Sequence, residues 1–203
     1  MTKRIIALAA VFVFAVLAVL WIMPTINCPQ PEFRSLHESR APQVRAKLLE
    51  NKKDVSPAEA AAVTANFLDV RLGVVRFDGE RGGAMPVYRF TVGRTRVEVT
   101  KTGGYIFRAE SSRMPATAGL PVQLAVDAAA QLVKACGFSD AAVTGHTQEG
   151  NCVRVLFARQ EGDVTHGDEW IEVLYGRDGK LVSFDSYGYI VNFSADTTAQ
   201  KAA

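Results

Sequence analysis

Apolar and polar positions along the chain fall into the same order twice. A stretch with apolar residues at helical spacing is followed each time by four short runs that alternate between apolar and polar. In the first copy, Ser56-Pro57-Ala58-Glu59 opens the helix. It supplies an N-cap hydroxyl, a proline at the first helical position and a glutamate three residues after the cap. Ala60, Ala62, Val63, Phe67 and Leu68 give an apolar face through about Arg71, and Gly73 is the expected stop. Strands are predicted over 74–78, 85–92, 95–101 and 105–110, with Gly82-Gly83, Gly93-Arg94 and Gly103-Gly104 as hairpin turns. In the second copy a helix over 122–136 places Val122, Ala125, Val126, Ala129, Leu132, Val133 and Cys136 on one face. Gly137-Phe138 ends it, and strands are predicted over 142–148, 152–159, 169–175 and 181–186.

The copies also close alike. Val97-Glu98-Val99, a Thr102-Gly103-Gly104 turn and Tyr105-Ile106-Phe107 end the first. Ile171-Glu172-Val173, an Arg177-Asp178-Gly179 turn and Leu181-Val182-Ser183-Phe184 end the second. The predicted fold class is α+β: two similar lobes, each one helix packed across a four-stranded antiparallel sheet with one covered face and one wet face.

Outside the repeats the pattern changes. Residues 5–23 are nineteen consecutive apolar residues behind Lys3 and Arg4. At about 1.5 Å per residue they approach the roughly 30 Å of bilayer hydrocarbon, and Trp21 falls where an interfacial aromatic is favoured. A signal peptide has a shorter apolar core and a small-x-small cleavage site, which Pro24-Thr25-Ile26-Asn27 does not offer. Nor is it the small-residue lead-in that a lipoprotein cysteine at Cys28 would need. The run is read as an uncleaved single-pass anchor with residues 24–203 on the far side of the membrane. Residues 24–54 form a proline-rich linker followed by a short amphipathic helix over 40–53, carried by Ala41, Val44, Leu48 and Leu49. The organisation is then 1–23 anchor, 24–54 linker, 55–113 first repeat, 114–193 second repeat and 194–203 a flexible, polar tail.

Charge follows the same division. The whole chain carries 23 Lys+Arg against 21 Asp+Glu, but two of the basic residues precede the anchor, so the remainder is neutral. A neutral ectodomain argues against nucleic acid, whose phosphates need a basic surface. The three cysteines are Cys28, Cys136 and Cys152. In an oxidising compartment a Cys136–Cys152 disulfide competes with Cys136 as a buried small hydrophobe.

His37, His146 and His166 are the histidines, and no G-x-S-x-G stands near any of them. Asp163, His166, Asp168 and Glu169, with His146, make the best metal candidate, but their spacing fits no established ligand pattern. Glu98 and Glu172 are matched carboxylates that would interest a glycosidase argument. Alternation puts both on the wet face, where structural repetition accounts for the match. Gly82-Gly83 and Gly103-Gly104 open no helix that could hold a phosphate. Trp170, Tyr175, Phe184, Tyr187 and Tyr189 cluster late in the second repeat. Of these, Tyr187 and Tyr189 are the candidates for exposure and partner contact. No catalytic, cofactor or metal residue is assigned.

Several of these segments carry a family resemblance. Gly137-Phe138, Trp170-Ile171-Glu172-Val173, Asp178-Gly179-Lys180-Leu181-Val182-Ser183-Phe184 and Gly188-Tyr189-Ile190-Val191-Asn192 are similar in order and spacing to the PepSY-type repeats of the YpeB spore germination family. Ser56-Pro57-Ala58-Glu59-Ala60, Phe67-Leu68 and Gly103-Gly104-Tyr105 add to it. The resemblance covers about residues 55–193. It implies a non-catalytic protein, without cofactor, on the outer face of a bacterial membrane and around the spore inner membrane in sporulating species. The implied partner is a cortex-lytic enzyme such as the lytic transglycosylase SleB, which it would stabilise, localise or restrain. Because PepSY repeats resemble peptidase propeptides, a protease inhibitor is the alternative; a peptidoglycan hydrolase is a more distant one. Two departures stand out: about 30 residues replace the long helical region that the family has after its anchor, and a third repeat is missing.

Overall fold

Helix α1 (Pro57–Phe67) begins where the capping residues require it. The computed structural model describes residues 47–115 and 119–192. Within it the Ser56 side chain accepts the Glu59 N–H, and the Glu59 carboxylate accepts the Ser56 N–H at 2.7 Å. Two otherwise orphaned donors are thereby satisfied reciprocally. The helix ends sooner than the apolar pattern suggests. Asp69 takes a left-handed conformation, φ 50°, and the Val70 N–H returns to the Ala65 carbonyl at 2.9 Å. That closure is local hydrogen bonding of the chain on itself, so the stop precedes Gly73. Gly73 sits instead in a 3-10 turn, Leu72–Val74.

Strands β1 (Arg76–Arg81), β2 (Val87–Val92), β3 (Thr95–Thr100) and β4 (Ile106–Ser111) follow as antiparallel neighbours. The β3–β4 turn needs glycine at two positions. Gly103 and Gly104 both have positive φ, and a Cβ on Gly104 would approach Val55 Cγ1 at 3.2 Å. Helix α2 (Val122–Ala135) then leads into β5 (Ala141–Glu149), β6 (Cys152–Glu161), β7 (Val164–Gly176) and β8 (Leu181–Asp185). A short helix, α3 (Tyr187–Asn192), ends the described chain. Of the amphipathic helix expected over 40–53, the described part is a 3-10 turn, Lys47–Leu49; residues 40–46, the apolar run 5–23 and the tail lie outside the described residues. Among the described residues no helix is long and apolar enough to cross a membrane.

The two repeats do not form two separate lobes. Their sheets join edge to edge into one eight-stranded antiparallel sheet, ordered β1-β2-β3-β4-β8-β7-β6-β5. The last strand of each repeat is the joint: Arg108, Ala109 and Glu110 pair with Asp185, Phe184 and Ser183. An unpaired strand edge carries a row of unsatisfied amides and carbonyls, and each repeat supplies the other's missing partner. One core results. Ala60 of α1 and Ala125, Val126, Ala129 and Val133 of α2 belong to the same buried cluster as Val97, Ala109, Val173 and Phe184. Phe184, fully buried, stacks edge-on to Phe67 at 5.4 Å and meets Phe138 at 6.4 Å, so it touches aromatics from both repeats.

Replacing the cap hydroxyl tests how much α1 matters to this core. Ser56→Ala should lower stability by about 1 kcal/mol and move the urea midpoint down accordingly. An unchanged midpoint would mean that the cap contributes nothing.

Candidate interface on the face opposite the helices

All the helices that share the core lie on one side of the sheet, which leaves the other side to the alternate residues of each strand. Register sets Arg89 of β2, Glu98 of β3, Arg108 of β4, Asp185 of β8 and Glu172 of β7 directly opposite one another in a row across that side. Arg81 of β1, Arg154 of β6 and Glu149 of β5 extend it diagonally, each two positions along its strand from the register partner of its neighbour in the row. Contacts knit the row together. Arg81 Nη2 lies 2.9 Å from Glu98 Oε2, and Arg108 Nε lies 3.2 Å from Asp185 Oδ2. Arg154 grips Glu149 with two nitrogens, at 2.9 and 3.1 Å, and also donates to Glu172. Glu149 first, with Glu172 behind it, raises the Arg154 pKa further and keeps the guanidinium charged.

Asp185 is the tightest point of the row. Its other oxygen accepts the Tyr187 N–H at 2.8 Å, so one carboxylate pairs with Arg108 and caps α3. Burial raises its pKa above 3.8, with the Glu172 carboxylate opposite adding to the rise and Arg108 opposing it. Glu98 and Glu172 are thus ion-paired members of the row, on the wet face that alternation assigns them. Three strand spacings separate them, about 14 Å, with Arg108 and Asp185 in between.

The metal candidates are dispersed among other partners. Glu169 is 1% exposed and both its oxygens accept from Arg159, itself 5% exposed. Removing one member of such a pair strands a buried charge, at a cost of about 3–5 kcal/mol. Asp163 belongs to the two-residue β6–β7 turn, and His166 lies 3.8 Å from both Glu161 and Glu169. Asp168 offers its carbonyl to Asn192 at 2.7 Å. His146 is exposed on β5 opposite Val155, four positions along β6 from Arg159, or about 13 Å away. Among the described residues no group of three His, Cys, Asp or Glu side chains is arranged to hold a metal ion.

One expectation needs correction, the exposure of Tyr187 and Tyr189. Tyr189 is 1% exposed, stacked on Phe138 at 5.0 Å, with its hydroxyl donating to Asp140. Burial first, then that hydrogen bond, pushes its phenol pKa up. Tyr187 is half-buried against Phe107 at 5.7 Å. Both sit in α3, which folds back onto the core; Gly188 permits this, because a Cβ there would be 2.4 Å from Trp170 Nε1. The cysteines choose between the two readings left open in the sequence. Cys136 carries a free thiol that burial pushes up to about 12, while Cys152 is disulfide-bonded, so the two are not paired with each other. His37 lies outside the described residues. The charged row was the feature missed in the sequence, since it exists only once the register and the β4–β8 joint are known.

With this geometry in hand, the comparisons decide the family. The sequence model described as YpeB sporulation, PepSY1 and PepSY2 domains matches residues 25–197. The chain belongs to the YpeB sporulation family. The Bacillus megaterium YpeB C-terminal domain has the same fold, with a TM-score of 0.65 at 19% sequence identity over 71% of this chain and 68% of that one. The comparison with curated proteins found no match. The chain is thus a PepSY module of a sporulation family, with a mixed fold of helices and one large antiparallel sheet that it shares with the Bacillus megaterium domain.

The raised Asp185 gives a pH prediction with a definite sign. Its folded pKa exceeds its unfolded one, so its favourable contribution is fully present below about pH 3.8 and is lost as pH rises through the folded pKa. Carboxyl carbon chemical shifts followed against pH should place the Asp185 midpoint above 3.8, and Arg108→Ala should raise it further. A midpoint at or below 3.8 would contradict the burial on which the reading rests.

Proposed function

We propose that this chain is a membrane-anchored, extracytoplasmic regulator that binds a cell-wall lytic enzyme during sporulation or germination and does no bond-making chemistry of its own. The observation that carries this reading is the charged row itself. It is a broad, ordered surface on the side of the sheet away from the helices, and its acids are engaged by arginines. Broad polar surfaces of this kind give orientation and partner choice, since each charge must meet its opposite. The same pairing speaks against a glycan hydrolase built on Glu98 and Glu172. Such enzymes hold two carboxyl groups about 5–9.5 Å apart, well short of the roughly 14 Å between these strands.

The partner class is a lytic transglycosylase similar to SleB, and residues 5–23 are the anchor that keeps the module at the membrane. Membership of the YpeB sporulation family supports the setting. Arg89 and Arg96, both exposed on strands β2 and β3, are the charges on this face best placed to meet an acidic partner.

Retention from sporulating cells tests the proposal. The full chain, solubilised with its anchor, should hold a wall-lytic enzyme identified by mass spectrometry. The double variant Arg89→Glu/Arg96→Glu should weaken retention about tenfold or more, equivalent to ~1.4 kcal/mol. Absence of any wall hydrolase, together with normal cortex hydrolysis in a deletion strain, would end this reading.

A further inference from the structure

We infer that β5 is the docking edge for a second copy of this chain, the two sheets joining antiparallel about a two-fold axis at Thr147. The sheet has two outer strands, β1 and β5, and they are built in opposite ways. β1 carries Arg76, Asp78, Glu80 and Arg81, and a bulge interrupts its register between Phe77 and Gly79. Arg76 pairs with Asp78 at 2.9 Å, Glu80 pairs with Lys101, and Arg81 pairs with Glu98. Charges and bulges are the means by which a strand edge is kept from pairing. β5 has no proline, and no Asp, Glu, Lys or Arg from Ala141 to Gln148. Val143, Thr144, His146, Thr147 and Gln148 are exposed along it. Its own bulge lies at Val143–Gly145, which leaves Gly145–Glu149 in unbroken register with β6, from Leu156 to Cys152. Alternate N–H and C=O groups of that stretch point away from β6, and among the described residues no strand takes them.

Such a row of backbone donors and acceptors takes an extended strand, and this stretch matches itself. With the axis at Thr147, the two Thr147 side chains meet each other, each His146 meets a Gln148, and each Gly145 meets a Glu149. Threonine pairs directly opposite one another are favourable cross-strand neighbours. Glu149, the one acid of β5, thus faces a glycine and not its own copy. Arg154 of the same chain already holds it, with contacts of 2.9 and 3.1 Å. A Cβ on Gly145 would meet nothing within 4 Å, so the space beside it is open. Leu156, the register partner of Gly145, is 39% exposed and gains cover when that space fills.

The chain already uses the same device internally. β4 and β8 each close a repeat, and they complete each other by antiparallel pairing. Because charge closes β1, growth through β5 stops at two copies instead of continuing as a filament. The joined sheet also leaves Arg89 and Arg96 open, since β2 and β3 lie six and five strand positions from β5. Pairing and the enzyme binding proposed above therefore use different parts of the sheet.

Sedimentation of the full chain in detergent over a range of concentrations, combined with amide hydrogen exchange, tests the assignment. The expected result is a monomer–dimer equilibrium in which the amides of residues 145–149 become protected as the dimer fills. Thr147→Lys sets two ammonium groups across the axis at an exposed position. It should raise the dissociation constant about tenfold or more. Unchanged exchange in β2–β3 shows that this variant keeps its fold. Oxidation of Thr147→Cys with copper–phenanthroline should give a dimer that peptide mapping finds linked through position 147. A monomer at every concentration, a dimer that Thr147→Lys leaves intact, or a dimer of Thr147→Cys not linked at 147 would each overturn the assignment. Protection of residues 145–149 in a monomeric species would overturn it too, because the edge is then covered within one chain.

Discussion

Where β4 meets β8, the Arg108 guanidinium faces the Asp185 carboxylate at 3.2 Å. One residue on, the Ser186 hydroxyl donates to the Ile106 carbonyl at 2.7 Å, and the Ser186 N–H donates to the Phe107 carbonyl at 3.1 Å. These contacts are few, but they fix the register between two strands that would otherwise be sheet edges. A slip of one residue would turn Phe184 out of the core and Asp185 into it, which burial of the helix-covered face forbids. The shared core, the placement of α3 and the row of charges all follow from this register.

The repeats contribute unequally to that joint. Each places a glutamate on its third strand, Glu98 or Glu172, in the same structural position. On its fourth strand the first repeat places Arg108 and the second Asp185. Repetition of the backbone with opposite charge at one position lets the two copies pair with each other. Two identical carboxylates or two arginines directly opposite would repel. A duplicated unit is in this way converted into one sheet.

Much of the local structure was legible in the sequence. The Ser56-Pro57-Ala58-Glu59 cap, the glycine turns and the alternating strands depend on neighbours in sequence, and they form within a few residues of where the pattern puts them. What was not legible depends on contacts between distant segments. Alternation gives each strand a wet and a dry face but does not say which edges meet, so two lobes were expected and one sheet is found. Gly188-Tyr189-Ile190-Val191 follows the last strand and carries no signal that it turns back as a helix. Its path is set by Trp170, which only glycine allows it to approach, and the burial of Tyr189 is a consequence.

If the β4–β8 pairing makes one cooperative unit, the two repeats must unfold together. Amide hydrogen exchange across a urea series, read separately for β2–β3 and β6–β7, tests this most directly. Coincident transitions with one midpoint and one slope are expected. Loss of protection in one repeat while the other remains closed would contradict the account.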